Sequence, residues 1–283
     1  MSRAVDRTGQ IIGQRFRIDA LIGKGAMADV FRAVDLHTSA YVALKILRTS
    51  LDGDPSASMR FSREGEVQAR LRHPNVAALL ASGITEQTEP FLAMELLRGK
   101  TLRGVIKAEG RIDARRASSY TWQALQGLTA VHDAGILHRD LKPANIMLEP
   151  SQGPADRVVL IDFGFASVEG SAKLTQQGAV VGSLLYMAPE RMRGEPVDQR
   201  SDLYSMGVVF YELLSGEPPF TAKDDLDLVE MHLHARPPSL DPATVPAPLI
   251  PIVMRCLAKQ QAQRFANARE MIATLEDAAR QLS

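Results

Sequence analysis

The hydrophobic pattern of this chain turns from mainly strand-like to mainly helical at Arg98-Gly99. That switch restricts the fold to a β-rich segment followed by a larger helical one, an α+β arrangement. Before it, residues 15–22 alternate polar and apolar and break at Gly23-Lys24-Gly25, and residues 30–34 and Tyr41–Leu47 are β-branched and aromatic runs. Residues 56–71 interrupt the strands with apolar residues at helical spacing and stop before His73-Pro74; a further strand is expected at 91–96. After the switch, Asp113 caps a helix running to about Ala134, and more helices are expected at 201–214, 223–234, 247–258 and 268–281. At 283 residues the chain suits two domains or one domain with two lobes, drawn here as 1–95 and 96–283 with a Gly-containing hinge near 95–99.

Composition removes several classes of function. Lys+Arg 33 against Asp+Glu 33 gives zero formal charge, which argues against nucleic acid or an anionic membrane as the main partner. A single cysteine, Cys256, forbids an intrachain disulfide or a Cys-rich zinc site and reads as a core thiol. Residues 1–14 lack the apolar stretch of a signal peptide. The longest uncharged apolar run, 203–211, falls far short of the roughly 20 residues that span a bilayer. A cytoplasmic protein with no membrane segment in this chain is the expectation.

Four short motifs carry chemistry. Gly23-Lys24-Gly25-Ala26-Met27-Ala28 lies between two expected strands; its glycines allow a backbone to approach phosphates, but read alone it fits a hairpin turn equally well. Lys45 ends the apolar strand Val42-Ala43-Leu44-Lys45, where a lone lysine more often snorkels from a sheet edge. In His138-Arg139-Asp140-Leu141-Lys142-Pro143-Ala144-Asn145, Pro143 prevents a helix and pushes Lys142 extended. A carboxylate, an ammonium and an amide oxygen can then converge, as phosphoryl transfer requires. Asp162 follows the apolar run 158–161 within Asp162-Phe163-Gly164; with Asn145 it completes a pair of hard oxygen donors for Mg²⁺.

With Ala188-Pro189-Glu190, these motifs stand in an order and spacing that resemble the protein kinase family over nearly the whole chain. The wording around His132-Asp133-Ala134-Gly135 and Gly216-Glu217-Pro218-Pro219-Phe220 is most similar to the bacterial eukaryotic-type Ser/Thr kinases. The resemblance implies a bilobal kinase fold: a β-rich N-lobe with one regulatory helix and a mainly helical C-lobe. It implies a signalling enzyme that uses ATP and Mg²⁺, with Mn²⁺ as a substitute, to phosphorylate Ser/Thr hydroxyls on proteins, including its own activation loop. By that resemblance Asp140 is the base, Lys45 and Lys142 attend the phosphates, Glu64 pairs with Lys45, and Asn145 and Asp162 bind the metal. Ile22, Gly23, Lys24, Gly25, Val30, Ala43, Met94 (the gatekeeper), Glu95, Leu97 and Met147 surround the nucleotide, and Thr175 is the activation-loop phosphosite. The partners implied are Ser/Thr-bearing proteins and a second copy of the chain for phosphorylation in trans. Ser183, where the family usually has Thr, would accept a bond from Lys142; Asp202 would anchor the catalytic loop and Glu190 would pair with Arg264.

The sequence departs from the family pattern in a few places. Ala28 replaces the third loop glycine, Ser167 stands where a basic residue is common, and Gly65 follows Glu64, costing about 1 kcal/mol of helix propensity. An easily displaced regulatory helix is the expectation, with Gly65→Ala raising basal activity. Two other classes compete, a nucleotide-binding pseudokinase and a small-molecule phosphotransferase. The presence of Lys45, Asp140, Asn145 and Asp162 opposes the first, and Ala188-Pro189-Glu190 with Asp202 and Arg264 opposes the second.

Overall fold

The computed structural model describes residues 7–25, 28–48, 65, 69, 71–151, 156–162 and 181–281. Met27, Glu64, Ser167 and Thr175 lie outside the described residues. The chain divides into two compact units: Met1–His73 with Ala77–Arg98, and Pro74–Val76 with Gly99–Ser283.

The first unit is built on a six-stranded antiparallel sheet of β1 (Ile11–Ile12), β2 (Phe16–Lys24), β3 (Ala28–Asp35), β4 (Tyr41–Leu47), β5 (Leu79–Ile84) and β6 (Pro90–Glu95), in the order β1-β2-β3-β4-β6-β5. Alternation places Phe16, Ile18, Phe31, Val42, Leu44, Ile46 and Phe91 in one apolar cluster, with Phe16 and Phe91 edge to face at 5.9 Å. Arg15 grips Asp35 with two hydrogen bonds of 2.9 and 2.7 Å, which hold that buried carboxyl well below the usual range. Gly65 abuts this sheet: a Cβ there would come within 2.7 Å of Leu92 Cδ2 and 3.3 Å of Ser82 Cβ. Gly65 is therefore a contact position, and the expected gain from Gly65→Ala is opposed by a steric cost.

The second unit opens with β7 (Lys100–Thr101) and α1 (Leu102–Glu109), whose first turn is capped by Thr101 Oγ1 accepting from Gly104 N. Next come α2 (Ala114–Asp133), capped by Asp113, then β8 (Ile146–Glu149) and β9 (Arg157–Leu160). After these lie the short helices α3 (Val181–Leu184) and α4 (Pro189–Met192), then α5 (Gln199–Ser215), α6 (Asp225–His234), α7 (Ile250–Cys256) and α8 (Ala268–Arg280). Helix α7 starts later than expected because residues 246–249 form a turn in which Leu249 N donates to the Pro246 carbonyl at 3.0 Å. In α5 every residue from Ser201 to Leu214 is buried, so it is the central helix of this unit and shows no polar face. Cys256 is fully buried there, and burial pushes its thiol up to about 12.

Pro74–Val76 are fixed to the second unit by their backbone. Asn75 O accepts from Leu160 N at 2.9 Å, and Asn75 Nδ2 donates to Val158 O at 2.7 Å. Gly127 on α2 permits this approach, because a Cβ would stand 2.6 Å from Asn75 O. Among the described residues, no helix is long and apolar enough to cross a membrane.

Candidate active site

In the second unit, the segment between α2 and β8 is shaped by buried anchors. Asp202, in the first turn of α5, accepts from the backbone N–H groups of His138 (2.8 Å) and Arg139 (2.9 Å), while His132 Nε2 lies 2.9 Å from the same carboxylate. Burial alone would raise the Asp202 carboxyl; His132, then His138 and the loop amides, outweigh it and hold it low. His138 is itself fully buried, and desolvation depresses its imidazole against the pull of Asp202 and Asp140.

Beyond this anchor the backbone turns sharply. Arg139 adopts φ +63°, and the Asp140 N–H closes the turn on the His138 carbonyl at 2.9 Å. Pro143 then forces Lys142 into an extended conformation, and Pro143–Asn145 form one 3₁₀ turn leading into β8. The result is a network centred on the Asp140 carboxylate. Lys142 Nζ donates to both oxygens (3.0 and 2.8 Å), Asn145 Nδ2 to Oδ2 (2.9 Å) and Ser183 Oγ to Oδ1 (3.1 Å). Lys142 also donates to Ser183 Oγ at 2.8 Å, so the bond anticipated between these two residues is present.

Asn145 spends its amide nitrogen on the Asp140 carboxylate and carbonyl (2.9 and 2.8 Å), which turns its oxygen away as an acceptor. Strand β9 ends beside it, with Ile161 N donating to Asn145 O at 3.0 Å, and Asp162 follows in the left-handed region at φ +52°. Non-glycine residues take that conformation at a cost of about 1–3 kcal/mol and cluster at functional sites. An amide oxygen and a carboxylate suit Mg²⁺, which binds through one or two protein oxygens together with substrate phosphates. Among the described residues, no cluster of three or more His, Cys, Asp or Glu is placed to hold a metal ion.

In the first unit, strand register brings other expected residues onto one sheet face. Val30 lies opposite Lys45 and Lys45 opposite Leu92, while Ala43 lies opposite Met94. Residues 42, 44 and 46 face the apolar cluster, so Ala43 and Lys45 point the other way. Gly23 and Lys24 end β2 opposite Val30 and Asp29, and Gly25 N donates to Ala28 O at 2.9 Å. Ile22 is half exposed beside it. Glu95 and Leu97 close the first unit, where the Glu95 carboxylate accepts from Ala78 N at 3.0 Å. Met147 sits half-buried on β8 of the second unit.

The family model described as protein kinase domain matches residues 16–274. The chain belongs to the protein kinase family. Similar kinases include serine/threonine-protein kinase PknB of Mycolicibacterium smegmatis, 39% identical over 275 residues that cover 95% of this chain and 43% of that one. Serine/threonine-protein kinase pkn3 of Myxococcus xanthus is 38% identical over 276 residues, covering 95% and 50%. The chain thus spans half or less of the curated kinases it matches. Among solved structures, the Mycobacterium tuberculosis PknI kinase domain matches with a TM-score of 0.74 at 26% identity, covering 98% of this chain and all of that one.

In this kinase Glu190 accepts two hydrogen bonds from the fully buried Arg264, at 2.7 and 2.8 Å, as the sequence suggested. His132, Arg191 and the buried Tyr186–Glu212 pair (2.6 Å) belong to none of the four chemistry-bearing motifs. His132 lies on the last turn of α2 near His138, a position that could have flagged it; nothing in the local sequence marks Arg191.

Proposed function

We propose that this kinase transfers the γ-phosphoryl group of ATP to Ser or Thr hydroxyls of proteins. The observation that carries the reading is the Asp140 carboxylate, held at once by Lys142, Asn145 and Ser183. An entering hydroxyl displaces Ser183 from Oδ1 and gives its proton to that oxygen as its own oxygen bonds to phosphorus. The bond from phosphorus to the bridging oxygen breaks, and ADP leaves. Lys142, drawn from Asp140 toward the transferring group, offsets its charge. Bound through Asn145 Oδ1 and Asp162, Mg²⁺ would neutralise charge on the phosphates. The shared sheet face of Val30, Ala43, Lys45 and Met94 supports a nucleotide-facing role for those residues. The Lys142–Ser183 bond favours a Ser/Thr acceptor over tyrosine. The roles of Glu64 in pairing with Lys45 and of Thr175 as an autophosphorylation site, in trans through self-association, belong to the same proposal, as does action in the cytoplasm, where ATP is supplied.

Mass spectrometry after incubation with Mg-ATP and a generic protein substrate tests the reading. Wild type should phosphorylate protein Ser/Thr, and Asp140→Asn should lose about 10²–10⁴-fold in rate while still binding nucleotide. Equal activity of the two, or transfer only to a small molecule, overturns it.

A further inference from the structure

Arg191 stands immediately after Glu190 on α4, and its guanidinium Nη1 donates to the Arg139 carbonyl. It is half-buried, and desolvation lowers the pKa of its guanidinium in spite of Asp202 and Asp140. Among the described residues it forms no ion pair. A guanidinium partly withdrawn from water for one carbonyl is a costly way to fill space, so its position calls for a reason other than packing.

The reason lies in the turn it holds. Arg139 occupies the left-handed region at the centre of a three-residue turn, a conformation that persists only where the surroundings over-determine it. Its N–H is taken by Asp202 Oδ1 (2.9 Å) and its carbonyl by Arg191, while the next N–H, that of Asp140, bonds back to His138 O. The two ends of the strained residue are thus clamped by opposite charges carried on different helices. Arg191 in turn cannot drift, because its neighbour Glu190 is locked by Arg264 and by Ser201 Oγ at 2.6 Å.

We infer that Arg191 is a positioning residue: by holding the Arg139 carbonyl it fixes the strained turn that aims the Asp140 carboxylate at the acceptor hydroxyl. The inference rests on the reading of Asp140 as the base. It also ties the Ala188-Pro189-Glu190 segment to the aim of the base through two consecutive residues, one bonded into the helical core and the other into the catalytic loop.

The test compares the full chain as wild type, Arg191→Met, Arg191→Lys and Asp140→Asn. Arg191→Met keeps the length and removes the donor. Misplacement of a reacting group by an ångström costs up to about 100-fold, so kcat should fall by roughly 10- to 100-fold, with KM for ATP within about twofold. Arg191→Lys, which can still donate, should recover most of the loss. A second readout does not depend on activity: hydrogen exchange in a peptide spanning residues 138–142 should accelerate by about 10-fold or more in Arg191→Met, with α5 unchanged. If wild type and Asp140→Asn prove equally inactive, the functional reading fails while the exchange result still decides whether Arg191 holds the turn. A kcat within about twofold of wild type, unaltered exchange, or no recovery with lysine overturns the inference. If Arg191→Met does not fold, Arg191→Leu takes its place beside Arg191→Lys; exchange and kcat in Arg191→Leu equal to those of Arg191→Lys refute it.

Discussion

Arg264→Met should show how strongly the second unit depends on one buried ion pair. The Arg264 side chain is 0% exposed and that of Glu190 3%, and Arg264 also donates to the carbonyls of Ala258, Arg200 and Lys259. Methionine keeps much of the volume and deletes every donor. Leaving a buried carboxylate without its partner costs about 3–5 kcal/mol. At roughly 2–4 °C per kcal/mol for domains of this size, the midpoint should drop by about 6–20 °C. The loss should depend on pH in a definite direction. In wild type, burial pushes the Glu190 carboxyl up, but Arg264 and then Ser201 outweigh it and hold it below 4.5. The pair therefore stabilises above that pH, and its contribution disappears as pH falls through the lower folded value. In Arg264→Met burial is opposed only by the Ser201 hydroxyl and the local backbone, so the folded carboxyl should titrate above the unfolded one. The deficit should then be largest near pH 8 and smaller near about pH 4.5. Urea unfolding followed by Trp122 is suited to the measurement, because the chain has one tryptophan and it lies on α2. A deficit below about 1 kcal/mol at pH 8, or one that grows on acidification, would refute the reasoning.

Three further outcomes follow from contacts already described. Gly127→Ala should destabilise the second unit by about 1–3 kcal/mol in the same urea assay, because the new methyl meets backbone at Asn75 O, which cannot swing aside. Gly65→Ala should lower thermal stability or basal activity instead of raising them. Overpacking against Leu92 and Ser82 costs about 1–3 kcal/mol against about 1 kcal/mol of helix propensity, so a variant that is both more stable and more active would show that Leu92 yields freely. Cys256, fully buried and with its thiol pushed up to about 12, should resist thiol reagents at about pH 8 until the protein unfolds; rapid labelling of native protein would contradict the packing.

Sequence legibility followed the strength of local signals. Strand β4 was read to the residue because Tyr41–Leu47 combines β-branched residues with a flanking polar turn, and α2 was read within a residue because Asp113 caps it and its apolar face repeats over five turns. Strand β5 was missed: Leu79-Leu80-Ala81-Ser82-Gly83-Ile84 contains two small residues and a glycine, and its place is set by pairing with β6. Helix α1 was missed because eight residues containing Gly104 make a short run, although Leu102, Val105 and Ile106 fall at helical spacing and Thr101 was a usable cap signal. At the site, Asp140, Lys142 and Asn145 could be grouped because they lie within six residues and Pro143 forbids a helix. Ser183 and Asp202 were placed beside them by family resemblance alone. Arg191 could not be placed at all, since its contact depends on a backbone carbonyl 52 positions away that any sequence would supply.

The burial of α5 on all sides limits where this protein can change length. Ser201 bonds Glu190, Asp202 the loop that carries Asp140, Ser205 the Tyr186 carbonyl at 2.7 Å, and Glu212 the Tyr186 hydroxyl. These four partners are reached from different angles around one rod, so the spacing of the side chains acts as a template for the segments lying against it. One inserted or deleted residue between 203 and 211 would rotate everything beyond it by about 100° and carry Glu212 away from Tyr186, with an unpaired carboxylate turned into the core. Over evolutionary time, gains and losses of residues in the second unit should therefore collect in connections such as 235–249, while α5 admits replacement of its side chains but no change in their number.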